Sequence, residues 1–241
     1  MYNKILGCLV GAAAGDAMGA ATEARSSNQI IDTFGGKVTE FIKPPNDTFG
    51  AGNQAGGFTD DFSSAYFVAK EIVDNAGIVN KEIVQNALVE WSKHAVFFDR
   101  FAGPTTRLAI KRFAGEEVQL SEGIKNKARQ ATNGAAMRIS PIGLINAANT
   151  DNAIKDAVIV ASVTHNNNLA ISGACAVAAA VSEAVKDGSN LYDVIDAGLY
   201  GANEGEKIGK AHGNNVAGPS VVKRIKMAVD IGFGTGSIDE R

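Results

Sequence analysis

A threonine and two aspartates, Thr59-Asp60-Asp61, close a glycine-rich stretch (Gly50, Gly52, Gly56, Gly57) and open an amphipathic segment. Hydroxyl and carboxylate oxygens are hard donors, suited to Mg²⁺ or Mn²⁺ rather than to zinc or copper. The same residue types also make a good helix start. Thr59 has the chemistry of an N-cap, and the two aspartates suit the positive end of a helix dipole. On the triplet alone both readings stand.

Three further patterns carry candidate chemistry. Asp16 lies inside Gly15-Asp16-Ala17-Met18-Gly19, with Glu23 seven residues on. In a continuous helix that spacing is two turns and puts both carboxylates on one face. The bland alternatives are a carboxylate bonded to nearby backbone for Asp16 and plain solvent exposure for Glu23. Asn133-Gly134, followed by Ala135-Ala136-Met137-Arg138 and then Pro141, marks a turn ahead of a helix start that offers free N–H groups to a phosphate. Of the three histidines, only His165 sits in a polar cluster, Thr164 to Asn168, ahead of an apolar run. A lone histidine there serves equally as a cap or a hydrogen bonder at the core edge.

These residues must be positioned by helices. Gly7, Gly11, Gly15 and Gly19 recur every four residues and draw a smooth stripe along one face of a first helix, which predicts a buried helix that another backbone approaches closely. The run after Lys4 imitates a secretory leader, but Asp16 interrupts it and the glycine periodicity favours the buried helix. Asn80 is placed to cap a helix carrying Ile83, Val84, Ala87, Leu88 and Trp91, and Pro104 to start one carrying Leu108, Ile110 and Phe113. Asp151 is read as the cap of a helix with Ile154, Ala157, Val158 and Ala161. Leu169–Val185 is apolar nearly all round, as a helix covered on every side would be. Helices follow around Leu191–Ile208 and Pro219–Ile231. Lys37–Lys43 is the one weak strand candidate, and 24–58 and 114–140 read as long functional loops.

The composition, 45% hydrophobic and 20% charged, is that of a folded globular chain, and 241 residues suffice for one sizeable core. A net charge of −3, with Lys223, Arg224 and Lys226 as the densest basic cluster, argues against a nucleic-acid partner. No run reads as a membrane span. The two cysteines, Cys8 and Cys175, lie in apolar helical runs and read as free thiols, which suits a cytoplasmic location.

The four patterns, in this order and at these separations, resemble the ADP-ribosylglycohydrolase family over essentially the whole chain. The resemblance implies an all-α fold, a single-domain and mostly orthogonal helical bundle spanning 1–241. It also implies a site for two Mg²⁺ or Mn²⁺ ions and hydrolysis of a glycosidic bond at the ribose anomeric carbon. By position, Thr59, Asp60 and Asp61 would be half of the metal set, with Asp60 and Asp61 catalytic alongside Glu23 as the acid/base or water-positioning carboxylate. Asn133 and Gly134 would lie in the loop cradling the diphosphate, and His165 would contact the ligand. Substrates would be ADP-ribosylated proteins or small ribosides.

The sequence departs from the family pattern in several places. The family's second metal motif, Asp-x-Asp-Thr, does not occur. Phe62 stands where the family commonly has threonine, and Thr132 where many members have glycine. Ser237 and Glu240 form a Ser-x-x-Glu capping box just before the last residue, Arg241, so the expectation is a chain lacking the family's C-terminal helices, with weak Mg²⁺ binding and impaired or absent turnover. Two alternatives follow: a nucleoside or riboside hydrolase of the same fold, and a non-catalytic ADP-ribose-binding or structural protein.

Overall fold

The computed structural model describes residues 1–117 and 130–234. Among these the regular elements are helices, with one isolated β-bridge between Asn167 and Asn214. In chain order they are α1 (Tyr2–Gly19), α2 (Ser27–Phe34), α3 (Asp60–Asp74), α4 (Lys81–Ser92), α5 (Ala95–Phe101), α6 (Pro104–Phe113), α7 (Ser140–Ile145), α8 (Thr150–Thr164), α9 (Asn168–Ala184), α10 (Leu191–His212) and α11 (Val221–Gly234). The all-α expectation holds, and Lys37–Lys43 forms no strand. No helix among the described residues is long and apolar enough to cross a membrane.

The centre is α9, as its all-round apolar pattern requires. Ala170, Ile171, Ala174, Cys175, Ala178 and Ala179 are all buried, and Asn167 caps the helix by accepting from Ala170 N at 2.9 Å. Helix α10 runs along it most extensively, with α8 and α7 on further sides. The α9–α10 contact is backbone-close because α10 presents Gly201, Gly205 and Gly209. A Cβ on Gly201 would sit 2.3 Å from the Cys175 carbonyl oxygen, and one on Gly209 would sit 2.6 Å from Asn168 Cα. Ser172 Oγ crosses the same seam to donate to Ala202 O at 2.7 Å.

A second layer comes from α3 and α4, whose apolar faces meet the same core through Val68, Ile72, Val84, Leu88 and Trp91. Asn80 caps α4 as its sequence suggests, accepting from Ile83 N at 2.9 Å. The buried Trp91 indole donates to Ser63 Oγ at 3.0 Å and so keeps its polar edge satisfied. Pro104 starts α6 with Leu108 and Ile110 buried.

Several expectations are corrected. Helix α1 is not buried: only Ala17 is, and nothing among the described residues lies within 4 Å of where a Cβ would sit on Gly7, Gly11, Gly15 or Gly19. Asn149, not Asp151, caps α8, its side chain accepting from Asn152 N at 3.2 Å. The stretch 24–58 is not all loop, for Ser26 and Gln29 form a reciprocal capping box that starts α2. Helix α10 extends beyond Ile208 to His212, and α11 buries none of its residues. The box at Ser237 and Glu240, and 118–129 of the second loop, lie outside the described residues.

Candidate active site

Asp16 and the start of α3 form the frame of the site. The Asp16 carboxylate reaches from α1 across to α3 and takes three hydrogen bonds. Oδ2 accepts from Thr59 N and Phe62 N, both at 2.9 Å, and Oδ1 accepts from Thr59 Oγ1 at 2.8 Å. Asp16 therefore satisfies donors of the first turn of α3 that a helix normally leaves to its own N-cap side chain. Thr59 occupies the N-cap position but makes no side-chain cap bond, so the capping role expected of it passes to Asp16. The result locks the Thr-Asp-Asp triplet to α1, 43 residues away in sequence.

Helix α1 ends at Gly19, and the chain turns through residues 20–24, with Glu23 N donating to Gly19 O at 2.9 Å. Asp16 and Glu23 are thus not on one continuous helix, yet both face a cleft of about 560 Å³. Thr59, Asp61, Phe62 and Asn133 share its wall. Asp60 is half-buried and is not among the residues that line the cleft; like Asp61, it feels the charge of Arg138.

The Asn133-Gly134 turn rests on His165. That ring is 1% exposed, and its two nitrogens are matched by threonine hydroxyls, Thr164 Oγ1 at 2.7 Å from Nδ1 and Thr132 Oγ1 at 3.0 Å from Nε2. A neutral imidazole has one donor and one acceptor nitrogen, and a hydroxyl can serve either. Burial, followed by the charge of Arg138, holds His165 far below its usual range, at about 3, so it is neutral. A Cβ on residue 134 would stand 2.5 Å from the ring, which requires glycine there. The departure at Thr132 thus has a structural role as a partner of this ring. Neither His165, beneath the turn, nor Gly134, within it, lines the cleft, whereas Asn133 does.

Arg138 is the residue to which sequence reasoning assigned no role. It closes the Asn-Gly-x-x-Met-Arg pattern, which was the available signal, and it is 1% exposed. Its Nη2 donates to Thr106 Oγ1 at 3.2 Å, while Nε and Nη1 have no hydrogen-bond partner among the described residues. Burial pulls its basicity down to about 10, opposed by the charges of Asp60 and Asp61.

The carboxylates crowd one another. Asp60 is pushed up to about 7 by burial and then by Asp61, and Asp61 to about 6 by burial and then by Asp16 and Glu23. Glu23 is raised by partial burial and by Asp16. Arg138 relieves the pair only in part. A cluster of this kind needs protons or a cation. Its oxygen donors and its charge fit a hard divalent ion, with Thr59, Asp60 and Asp61 as candidate ligands. Convergence does not yet match: among the described residues no group of three or more His, Cys, Asp or Glu side chains is arranged to hold a metal.

The comparisons agree with the motif reading. A family model described as ADP-ribosylglycohydrolase matches residues 1–236. An Escherichia coli K12 protein, described as the uncharacterized protein YegU, is 34% identical over 202 residues, covering 80% of this chain and 57% of its own length. An uncharacterized protein of Archaeoglobus fulgidus is 31% identical over 190 residues, covering 79% of this chain and 58% of its own. The chain therefore spans less than three-fifths of the length of these curated relatives.

Proposed function

Because the chain belongs to the ADP-ribosylglycohydrolase family, we propose that it hydrolyses the glycosidic bond of ADP-ribosylated side chains or small ADP-ribosides. The observation that carries this reading is the cleft in which Asp16, Glu23, Thr59, Asp61 and Asn133 come together from three separate segments. Cleavage at an anomeric carbon passes through an oxocarbenium-like state, and a carboxylate on the open face of the sugar activates the attacking water. Glu23 fits that role because it borders the cleft and its raised proton affinity makes it a better base than an ordinary glutamate. Asp16 fits a positioning role, since three hydrogen bonds commit it to holding α3. Asn133, which also lines the cleft, fits the diphosphate side of the ligand.

Magnesium or manganese belongs to the same proposal. Thr59, Asp60 and Asp61 would hold it, and it would supply positive charge for the ribose hydroxyls and the attacking water.

The test is release of ADP-ribose from ADP-ribosylated arginine and serine peptides, with and without Mg²⁺. Release that falls at least about 100-fold in Glu23→Gln and Asp61→Asn supports the reading. No release from the unaltered protein on either peptide overturns it. A second reading, hydrolysis of free nucleosides or other ribosides, draws on Phe62, whose ring forms cleft wall where the family commonly has a threonine. Cleavage of uridine or cytidine by a protein that fails to bind ADP-ribose would select that reading.

A further inference from the structure

Asp16 holds the Thr59-Asp60-Asp61 triplet from α1, and a second set of contacts holds the segment that leads into it. Asn53, in the glycine-rich stretch ahead of α3, is 8% exposed. Its Nδ2 donates to the carbonyls of Gly57 and Phe58, both at 3.2 Å, and its Oδ1 accepts from Arg100 Nη1 at 2.8 Å. A guanidinium only donates, so the amide oxygen must face Arg100 and the amide nitrogen is left for the two carbonyls. Arg100 Nη2 also donates to Ala51 O. Gly52, between these two contacts, has a φ of +87°, and a Cβ there would stand 3.2 Å from Arg100 Nη2. Glycine therefore admits both the turn and the guanidinium.

Arg100 belongs to α5, which buries none of its residues but is fastened at its carbonyl end. Arg107 of α6 donates through Nη2 to Phe98 O at 2.7 Å and Asp99 O at 2.9 Å, and through Nε to Ala102 O at 2.7 Å. A cation at that end also suits the helix dipole. Phe97, three residues before Arg100 and so on the same side of α5, stacks on Phe58 with 5.4 Å between ring centres. Phe58 in turn meets Phe62, on the cleft wall, edge-on at 5.2 Å. One polar and one aromatic contact from α5 thus grip the chain up to Phe58, and the next residue is Thr59.

We propose that Asn53 and Arg100 are positioning residues, which fix the backbone at 57–58 so that Thr59 and the carboxylates after it meet the ligand in one orientation. The inference rests on the glycosidase reading above for what the site does. Neither residue is among those that line the cleft, so each acts through Thr59 and not on the substrate. The Asp16 bonds, to Thr59 N, Thr59 Oγ1 and Phe62 N, all lie downstream of the carbonyls that Asn53 holds. Asp16 tethers the triplet, and Asn53 sets the direction from which the chain enters it. Misplacing a reacting group by about 1 Å costs up to about 100-fold in rate, so a brace remote from the substrate still acts on turnover.

Three variants test this: Asn53→Asp, Arg100→Met and Arg100→Lys. An aspartate at 53 still accepts from Arg100 but donates nothing to the carbonyls, which separates the bond to Arg100 from the bonds that reach Thr59. Arg100 is exposed, so its variants leave the core intact, and melting temperatures check the folding of all three. One readout is kcat and KM for release of ADP-ribose from whichever modified peptide the parent turns over. The other is hydrogen exchange at the Thr59 and Phe62 amides, with the Val68 amide of α3 as reference. In Asn53→Asp and Arg100→Met, kcat should fall about tenfold with KM changed less than about twofold. Exchange at Thr59 and Phe62 should rise about tenfold while Val68 holds, and Arg100→Lys, which keeps a charged donor, should recover most of kcat. Unchanged kcat in Asn53→Asp, or a fall in kcat that leaves both amides unchanged, overturns the proposal and leaves the glycosidase reading standing. So does exchange that rises equally at Val68 with a lowered melting temperature, which is loss of fold. If the parent turns over neither peptide, the glycosidase reading falls by itself. Faster exchange at Thr59 and Phe62 alone then upholds the brace, and unchanged exchange removes it too.

Discussion

Helices α1 and α10 both carry glycines at every fourth position, and the fold uses them in opposite ways. On α10, Gly201, Gly205 and Gly209 lie against the backbone of α9 so closely that no Cβ would fit. On α1, the glycines at 7, 11, 15 and 19 face open space among the described residues, and Tyr2, Leu6 and Val10 are exposed beside them. The difference shows that a glycine ladder makes a face smooth without recruiting a partner for it. Helix α10 has its partner because α9 precedes it by a short connection and is clothed in alanines. Helix α1 is engaged instead through polar side chains near its two ends: Asp16 bonds to the first turn of α3, and Lys4 donates to Val185 O and Lys186 O just past α9.

Substitutions that break this contrast differ widely in expected size. The largest effect belongs to Gly201→Ala, where the new methyl would meet the Cys175 carbonyl oxygen and α9 would have to move. A loss of about 3 kcal/mol or more is expected in urea unfolding, and a variant as stable as the parent would refute the close-packed seam. Next comes Asp16→Ala, which strips three hydrogen bonds and the bridge from α1 to α3. It should cost about 2 kcal/mol and raise hydrogen exchange at the Thr59 and Phe62 amides selectively, because those amides lose their acceptor.

A pH effect of intermediate size follows from the same corner. Asp60 and Asp61 bind protons more tightly folded than unfolded. The metal-free protein should therefore lose stability as pH rises from about 4 through about 7, where the folded pair becomes charged, and level off above. Asp60→Asn should flatten that decline by about 1–2 kcal/mol between pH 5 and pH 8. Equal slopes in thermal melts of parent and variant would count against the crowded-carboxylate account. The buried neutral His165 pulls the other way, since stability is lost as pH falls from about 6.5 towards about 3, so the comparison must be made between parent and variant at each pH. The smallest effect is Gly11→Ala on the open ladder, which should be neutral or stabilising by up to about 1 kcal/mol through helix propensity alone. A clear destabilisation would mean that the α1 face is covered in solution.

Much of the candidate site was legible as chemistry and little of it as geometry. The Thr59-Asp60-Asp61 triplet, Glu23 and Asn133 could be read from residue type and order, and the family model matches 1–236. That Asp16 would cap α3, that Arg138 would be buried with its charge felt by Asp60 and Asp61, and that Thr132 would hold His165 all depend on contacts between distant segments. Periodicity carries no information about which face of one element meets which side chain of another. Helix α2 is a different case, because its Ser26–Gln29 capping box is a local signal that the sequence itself carries.

The sequence by itself determined what local physics controls. The 3.6-residue apolar periods made α3, α4, α8 and α9 helices, Asn80 and Pro104 set the starts of α4 and α6, and the alanine-rich run of α9 made it central. Only the tertiary structure decided which glycine ladder would be buried, which carboxylate would be spent on capping, and which side chains would share a cleft with Glu23. Those outcomes turn on competition among surfaces for the same partners, and a smooth face, a carboxylate or a histidine has no preference of its own until a second element arrives to satisfy it.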